Sequence, residues 1–169
     1  MIKKIGQVWI ETVLYTIVGL AIIGIVLGFA MPKINQAKDN ALIEQSISAM
    51  KNLDSQIQEV AGTSGSLRIP EFTLRRGSLD IDPMNNQIYL TIDDLSNLYS
   101  ESNVSFNEGN VNIISLKGSK KDSITLTLNY NNFNISYDGT NQNKIIAPAA
   151  SPYKIIIYNN GTDIDFKIS

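Results

Sequence analysis

Between Glu11 and Lys33 the chain carries no charged side chain, and the run TVLYTIVGLAIIGIVLGFAMP is apolar apart from two threonines and a tyrosine. No other segment limits the fold as much. About 20 apolar residues, rising 1.5 Å each, match the roughly 30 Å hydrocarbon core of a bilayer, so the segment reads as a transmembrane helix. Lys3 and Lys4 precede it, and a positive flank holds that end in the cytoplasm, which places the rest of the chain outside. A cleaved secretory signal has a shorter apolar region of about 7–15 residues ending at a small-residue site, a pattern absent here. The segment is therefore an anchor. Trp9 and Tyr15 near its start suit an interfacial aromatic belt or ordinary helix packing.

From Lys33 to about Val60 the pattern becomes that of a soluble amphipathic helix. Ile34, Ala37, Ala41, Leu42, Ile47, Met50, Leu53, Ile57 and Val60 fall largely at spacings of three and four. Pro32 stands at the junction, where its missing N–H and its ring predict a kink in one long helix. Gly62 and the turn-rich AGTSGS predict the stop. Beyond Gly65 the apolar period falls to two: Phe72 and Leu74, Leu79 and Ile81, then Ile88, Leu90 and Ile92. Further runs are VNIISL, SITLTLNY, FNISY, PYKIIIY and DIDFKI, separated by segments rich in Gly, Asn, Asp and Pro. Roughly eight short strands predict an antiparallel meander or small sandwich. Parallel pairing is not expected, because no long crossover is evident. The fold class is α+β.

The remaining composition removes functions. There is no histidine and no cysteine, which excludes the commonest general base, thiolate metal sites, disulfides and the Ser-His and Cys-His nucleophile systems. Fourteen basic against 16 acidic residues leave no basic excess for nucleic acid. The chain is read as a non-enzyme with no cofactor and no metal.

The motif KKIGQVWIETVLYT sets a basic leader ending in Gly6 before Gln7 and an apolar helix whose fifth residue is Glu11. It resembles a type IV prepilin, especially the archaeal class with a class III signal peptide. The resemblance implies that a membrane peptidase cuts between Gly6 and Gln7, and that residues 1–6 are a leader. Residues 7–32 would form a transmembrane or filament-core helix, 33–62 its amphipathic soluble half, and 66–169 an extracellular β-domain. It further implies a homo-oligomeric filament on the cell surface, with the prepilin peptidase, the pilus assembly machinery and the membrane as partners.

Glu11 has a physical argument of its own. A carboxylate near the start of a membrane helix is costly unless it stays at the interface or meets a positive partner, such as the α-amino group freed at Gln7 of a neighbouring subunit. Gly24 and Gly28 form a G-x-x-x-G step that permits close helix approach, although glycine is common in membrane helices anyway. Sequons at Asn103, Asn134 and Asn160 are candidate glycan acceptors, or chance products of an Asn-rich sequence. The pairs Asp80 with Asp82, Asp93 with Asp94 and Asp163 with Asp165 offer oxygen ligands to calcium, or else decorate a solvated strand face. The expected function is that of a structural pilus subunit. Its alternatives are a tethered, monomeric binding or adhesion module and a minor pilin or pseudopilin.

Overall fold

The computed structural model describes residues 2–169, with side chains from Val8 onward, so Gly6 and Gln7 fall outside the residues whose side chains are described. Helix α1 (Ile2–Ala61) precedes a domain of short strands. The chain divides into two compact units, residues 1–38 and Asp39–Ser169, and α1 contributes to both. The α+β class with a long N-terminal helix and antiparallel-rich sheets is the one expected.

In the first unit α1 stays helical through Pro32. Proline has no N–H to give the carbonyl four residues back, which here belongs to Gly28. The two threonine hydroxyls inside the apolar run are satisfied locally. Thr12 Oγ1 donates to the Val8 carbonyl at 2.9 Å and Thr16 Oγ1 to the Thr12 carbonyl at 2.8 Å. Those bonds leave the helix apolar on every side, with Trp9 72% and Phe29 78% exposed.

In the second unit the helix buries Ile43, Ile47, Met50, Leu53, Ile57 and Val60, one stripe at steps of three and four. The expected stripe was misplaced at its start. Ala41 is exposed and Leu42 half-buried, and Ile43, one residue further on, is fully buried. The helix ends at Ala61, before Gly62, as expected. The Gly62 N–H reaches the Gln58 carbonyl and the Thr63 N–H that of Val60, both at 3.3 Å.

Edge strands β1 (Leu67–Arg68) and β2 (Glu71–Phe72) lead to a hairpin of β3 (Ser78–Asp82) and β4 (Gln87–Leu95). A meander of β5 (Ser105–Glu108), β6 (Val111–Leu116) and β7 (Asp122–Asn129) follows. Then come β8 (Asn134–Tyr137), β9 (Lys144–Ile146) and a last hairpin of β10 (Tyr153–Asn159) and β11 (Asp163–Ile168). One sheet has the order β5-β6-β7-β4-β3-β9; the other runs β1-β10-β11-β8, with β2 also on β10. Alternate residues such as Ile88, Leu90 and Ile92 point inward and share one core with the helix stripe. Pro70, between β1 and β2, lies on an outer edge, where a residue without an N–H is tolerated; its carbonyl still accepts from the Ile155 N–H at 3.0 Å.

One strand pair contradicts the expectation of purely antiparallel pairing: β8 and β11 are parallel, with Asn134 opposite Asp163 and Ile135 opposite Ile164. The crossover that parallel strands need is supplied by strands rather than a helix, since the chain passes through β9 in the other sheet and β10 before returning. Strands β1, β5 and β9 were not anticipated. They are short edge or near-edge segments with little apolar alternation.

Gly77, just before β3, has φ +86°, and a Cβ there would fall on the Thr91 carbonyl oxygen of β4. Only glycine lets the hairpin close so tightly. The fragment Gln36–Ser169 is expected to be soluble, with mixed helix and strand by circular dichroism; an aggregated or disordered fragment would show that this core does not form without the anchor. In that fragment Gly77→Ala should lower the unfolding free energy, read by urea denaturation, by about 2–4 kcal/mol.

Candidate functional site

The apolar helix surface comes first. Glu11 is the one acidic side chain among residues 8–32, it is exposed, and among the described residues nothing pairs with it. Among the described residues of the first unit, nothing stands within 4 Å of where a Cβ would be at Gly24 or Gly28, the two glycines of the G-x-x-x-G step. The helix satisfies the length and composition needed to cross a membrane.

Besides two exposed ion pairs, Lys51 with Glu108 and Glu59 with Arg68, three more buried sets of polar contacts hold the second half of α1 to the β-domain, and none was anticipated. At its start Asp39 accepts from Arg76 Nη1 at 2.9 Å and from the Ser96 backbone N–H at 2.7 Å. A bulge in β4 makes this possible: the ladder to β7 slips between Ile92 and Leu95, and Asp94 takes φ +60°. The bulge also brings the Asp93 carbonyl to Arg76. Midway, buried Asp54 accepts from Asn110 Nδ2 at 2.7 Å and from the Tyr130 hydroxyl at 3.2 Å. At the end, Asn159 Nδ2 donates to the Val60 and Ala61 carbonyls at 3.0 and 3.3 Å, capping the helix. The signal in the sequence was a carboxylate on the apolar stripe, Asp39 four residues before Ile43 and Asp54 four after Met50.

The acidic pairs separate into different roles. Asp80 and Asp82 are buried, which overturns the reading of a solvated strand face for that pair. Asp82 caps the following turn through the Asn85 N–H and Nδ2, at 3.3 and 2.7 Å. Asp80 Oδ1 is buried without a hydrogen bond. Burial, with Asp82 beside it, lifts the Asp80 carboxyl above the ordinary carboxylate range, while the Tyr89 hydroxyl works the other way. Asp93 and Asp94 are exposed in the bulge. Asp165 accepts from Ser136 Oγ and the Gly139 N–H, both at 2.8 Å, and holds β8 to β11. Among the described residues no three His, Cys, Asp or Glu side chains are grouped to hold a metal.

All three sequon asparagines are exposed. Asn103 sits in a turn at φ +63°, and Asn134 opens β8, its Oδ1 taking a long contact from Asn86 Nδ2 at 3.4 Å. Asn160 Oδ1 accepts from the Thr162 and Asp163 N–H groups and from Thr162 Oγ1, at 2.8–2.9 Å, which leaves its Nδ2 pointing to no internal partner. Between this turn, the end of α1 and the β7–β8 loop lies an open cleft of about 410 Å³, walled largely by asparagines. No protein-family model matches the chain, and no curated protein or solved structure shows significant similarity to it.

Two groups titrate in opposite directions. Burial raises the Asp39 carboxyl, but the Ser96 N–H and Arg76 outweigh it and hold it below the ordinary 3.8. A carboxyl depressed on folding adds stability that is complete above the unfolded value and fades as pH falls through the folded one. A raised one, Asp80, costs stability above its folded value, and acid relieves that cost. Arg76→Ala should therefore lower the unfolding free energy by about 1–3 kcal/mol at pH 7, a gap that narrows below about pH 4. Asp80→Asn should raise it by up to about 1 kcal/mol at pH 7 and by nothing in acid. Urea denaturation at pH 7 and pH 3 checks both signs.

Proposed function

We propose that this chain is a structural subunit of a type IV pilus-like surface filament, its helices bundled in the core and its β-domains outside. The observation that carries the reading is a helical run from Thr12 to Pro32 with no charged side chain and apolar residues on every side. Each such side chain left in water forgoes about 1.5–3 kcal/mol, so together they forgo on the order of tens of kcal/mol. That sum exceeds the roughly 5–15 kcal/mol net stability of an ordinary domain, and the helix must be covered by lipid or by copies of itself. Lipid covers it before assembly and neighbouring helices afterwards. Glu11 favours a filament helix over a simple tether: at the interface a carboxylate costs little, but once the helices bundle it needs a cation, here the amino group of Gln7 on a neighbour.

In this reading the N-terminal end is cytoplasmic, a prepilin peptidase cuts between Gly6 and Gln7, and the β-domain lies outside the cell, where Asn160 is the sequon best presented for a glycan. Catalysis plays no part. The second reading, a monomeric tethered binding module, draws support from the asparagine-walled cleft.

Intact mass of the membrane-bound protein should correspond to a chain starting at Gln7, and retention of Met1 would remove the pilin assignment. Glu11→Gln should insert into the membrane at least as well as the parent, since the lost charge eases burial, yet yield several-fold less sheared filament at matched expression. Equal filament yields would exclude the pairing of Glu11 with a neighbour.

A further inference from the structure

We propose that the cleft at the end of α1 is a binding site for a neutral saccharide. The inference does not depend on the filament reading. The cleft holds about 410 Å³, within the roughly 300–1,000 Å³ range of small-ligand sites. Its walls come from segments far apart in sequence: Asn131, Asn132 and Phe133 after β7, Asn134 at the start of β8, and Asn159 and Asp163 on either side of the β10–β11 turn.

Part of this wall is fixed in advance. Asn159 is locked between the end of α1 and the Gly161 N–H, which donates to its Oδ1 at 2.9 Å. The turn beside it is closed by the three hydrogen bonds to Asn160 Oδ1. The Asn131, Asn132 and Asp163 side chains, by contrast, have no hydrogen-bond partner among the described residues, and all three line the cleft. Phe133 is half-buried, stacks on Tyr130 with ring centroids 4.9 Å apart, and contributes the one aromatic side chain to an otherwise mostly polar lining.

The chemistry of this set selects its ligand. An amide offers donors and an acceptor side by side, and a carboxylate accepts twice, which together match neighbouring hydroxyls that each donate and accept. An aromatic surface suits the C–H face of a sugar ring. No lysine or arginine lines the cleft, while Asp163 and the C-terminal end of α1, which has no basic residue in its last turn, make its field negative. Phosphate and acidic sugars are thereby rejected. A single carboxylate is too little charge to strip water from calcium in place of a sugar. Amides outnumbering the carboxylate favour an uncharged ligand over a cation.

The test uses the full chain, made in a host that does not glycosylate asparagine and held in dodecylphosphocholine micelles, which contain no sugar. Methyl α-mannoside, N-acetylglucosamine and lactose are titrated one at a time and followed by saturation-transfer and protein NMR. At least one should bind with Kd of about 1 mM, as expected of a shallow site with few hydrogen bonds. Glucuronic and sialic acids should bind at least about tenfold more weakly, and a chelator should change nothing. Asp163→Asn, nearly isosteric, and Asn132→Ala, at an exposed loop position, should each weaken binding about fivefold or more while leaving distant amide shifts in place; Lys167→Ala should bind like the parent. Three results would each overturn the proposal: no response to any neutral sugar up to about 50 mM, equal binding by both cleft variants, or binding that vanishes with the chelator.

Discussion

The strongest physical demand this chain makes is cover for an apolar helix surface that water cannot be left to wet. From Thr12 to Pro32 there is no charged side chain and no polar face to turn outward, and the threonines along it turn their hydroxyls onto their own backbone. A soluble helix hides one stripe; this segment needs cover all round. In the proposed filament, lipid would supply that cover before assembly and a bundle of identical helices afterwards. There the G-x-x-x-G step of Gly24 and Gly28 would let two such helices approach closely.

The second half of the same helix solves a different problem. Its stripe enters a core shared with two sheets, but a greasy stripe alone permits sliding and rotation. The polar contacts at Asp39, Asp54 and the Asn159 amide fix the register at the start, middle and end of the packed stretch. Buried hydrogen-bonded groups of this kind add modest stability and strong specificity, because any shift leaves a carboxylate or a carbonyl unpaired. The β4 bulge belongs to the same device. Without the slip after Ile92, the Ser96 N–H and the Asp93 carbonyl would not meet Asp39 and Arg76.

Much of the fold was legible in the sequence because its periods are strong. The uncharged run marked a helix long and apolar enough to cross a membrane, Gly62 marked the helix end, and β4, β6, β7, β10 and β11 stood out by alternating apolar residues. Failures came where local pattern carries no information. The parallel β8–β11 pair depends on a crossover through both sheets, and β1 and β5 borrow their order from the strands they pair with. The stripe was expected from Ile34 through Ala37, Ala41 and Leu42, but the buried one begins at Ile43, because spacing alone does not say which of several neighbouring apolar residues turns inward. The acidic pairs were visible as residue types, but their surroundings were not: Asp165 meets Ser136 from another strand, Asp82 is held by its own turn, and Asp80 is buried. The asparagine-walled cleft was not legible at all, since its walls meet only after both sheets have formed.

If copies of this chain cover one another's apolar helices, as proposed, electron cryo-microscopy of filaments sheared from cells producing the chain should reveal a core of closely packed α-helices that fits residues 8–34 and an outer layer that fits Asp39–Ser169. A cell surface bearing no filament that contains this chain, or a filament built from β-domains with no helical core, would contradict the proposal.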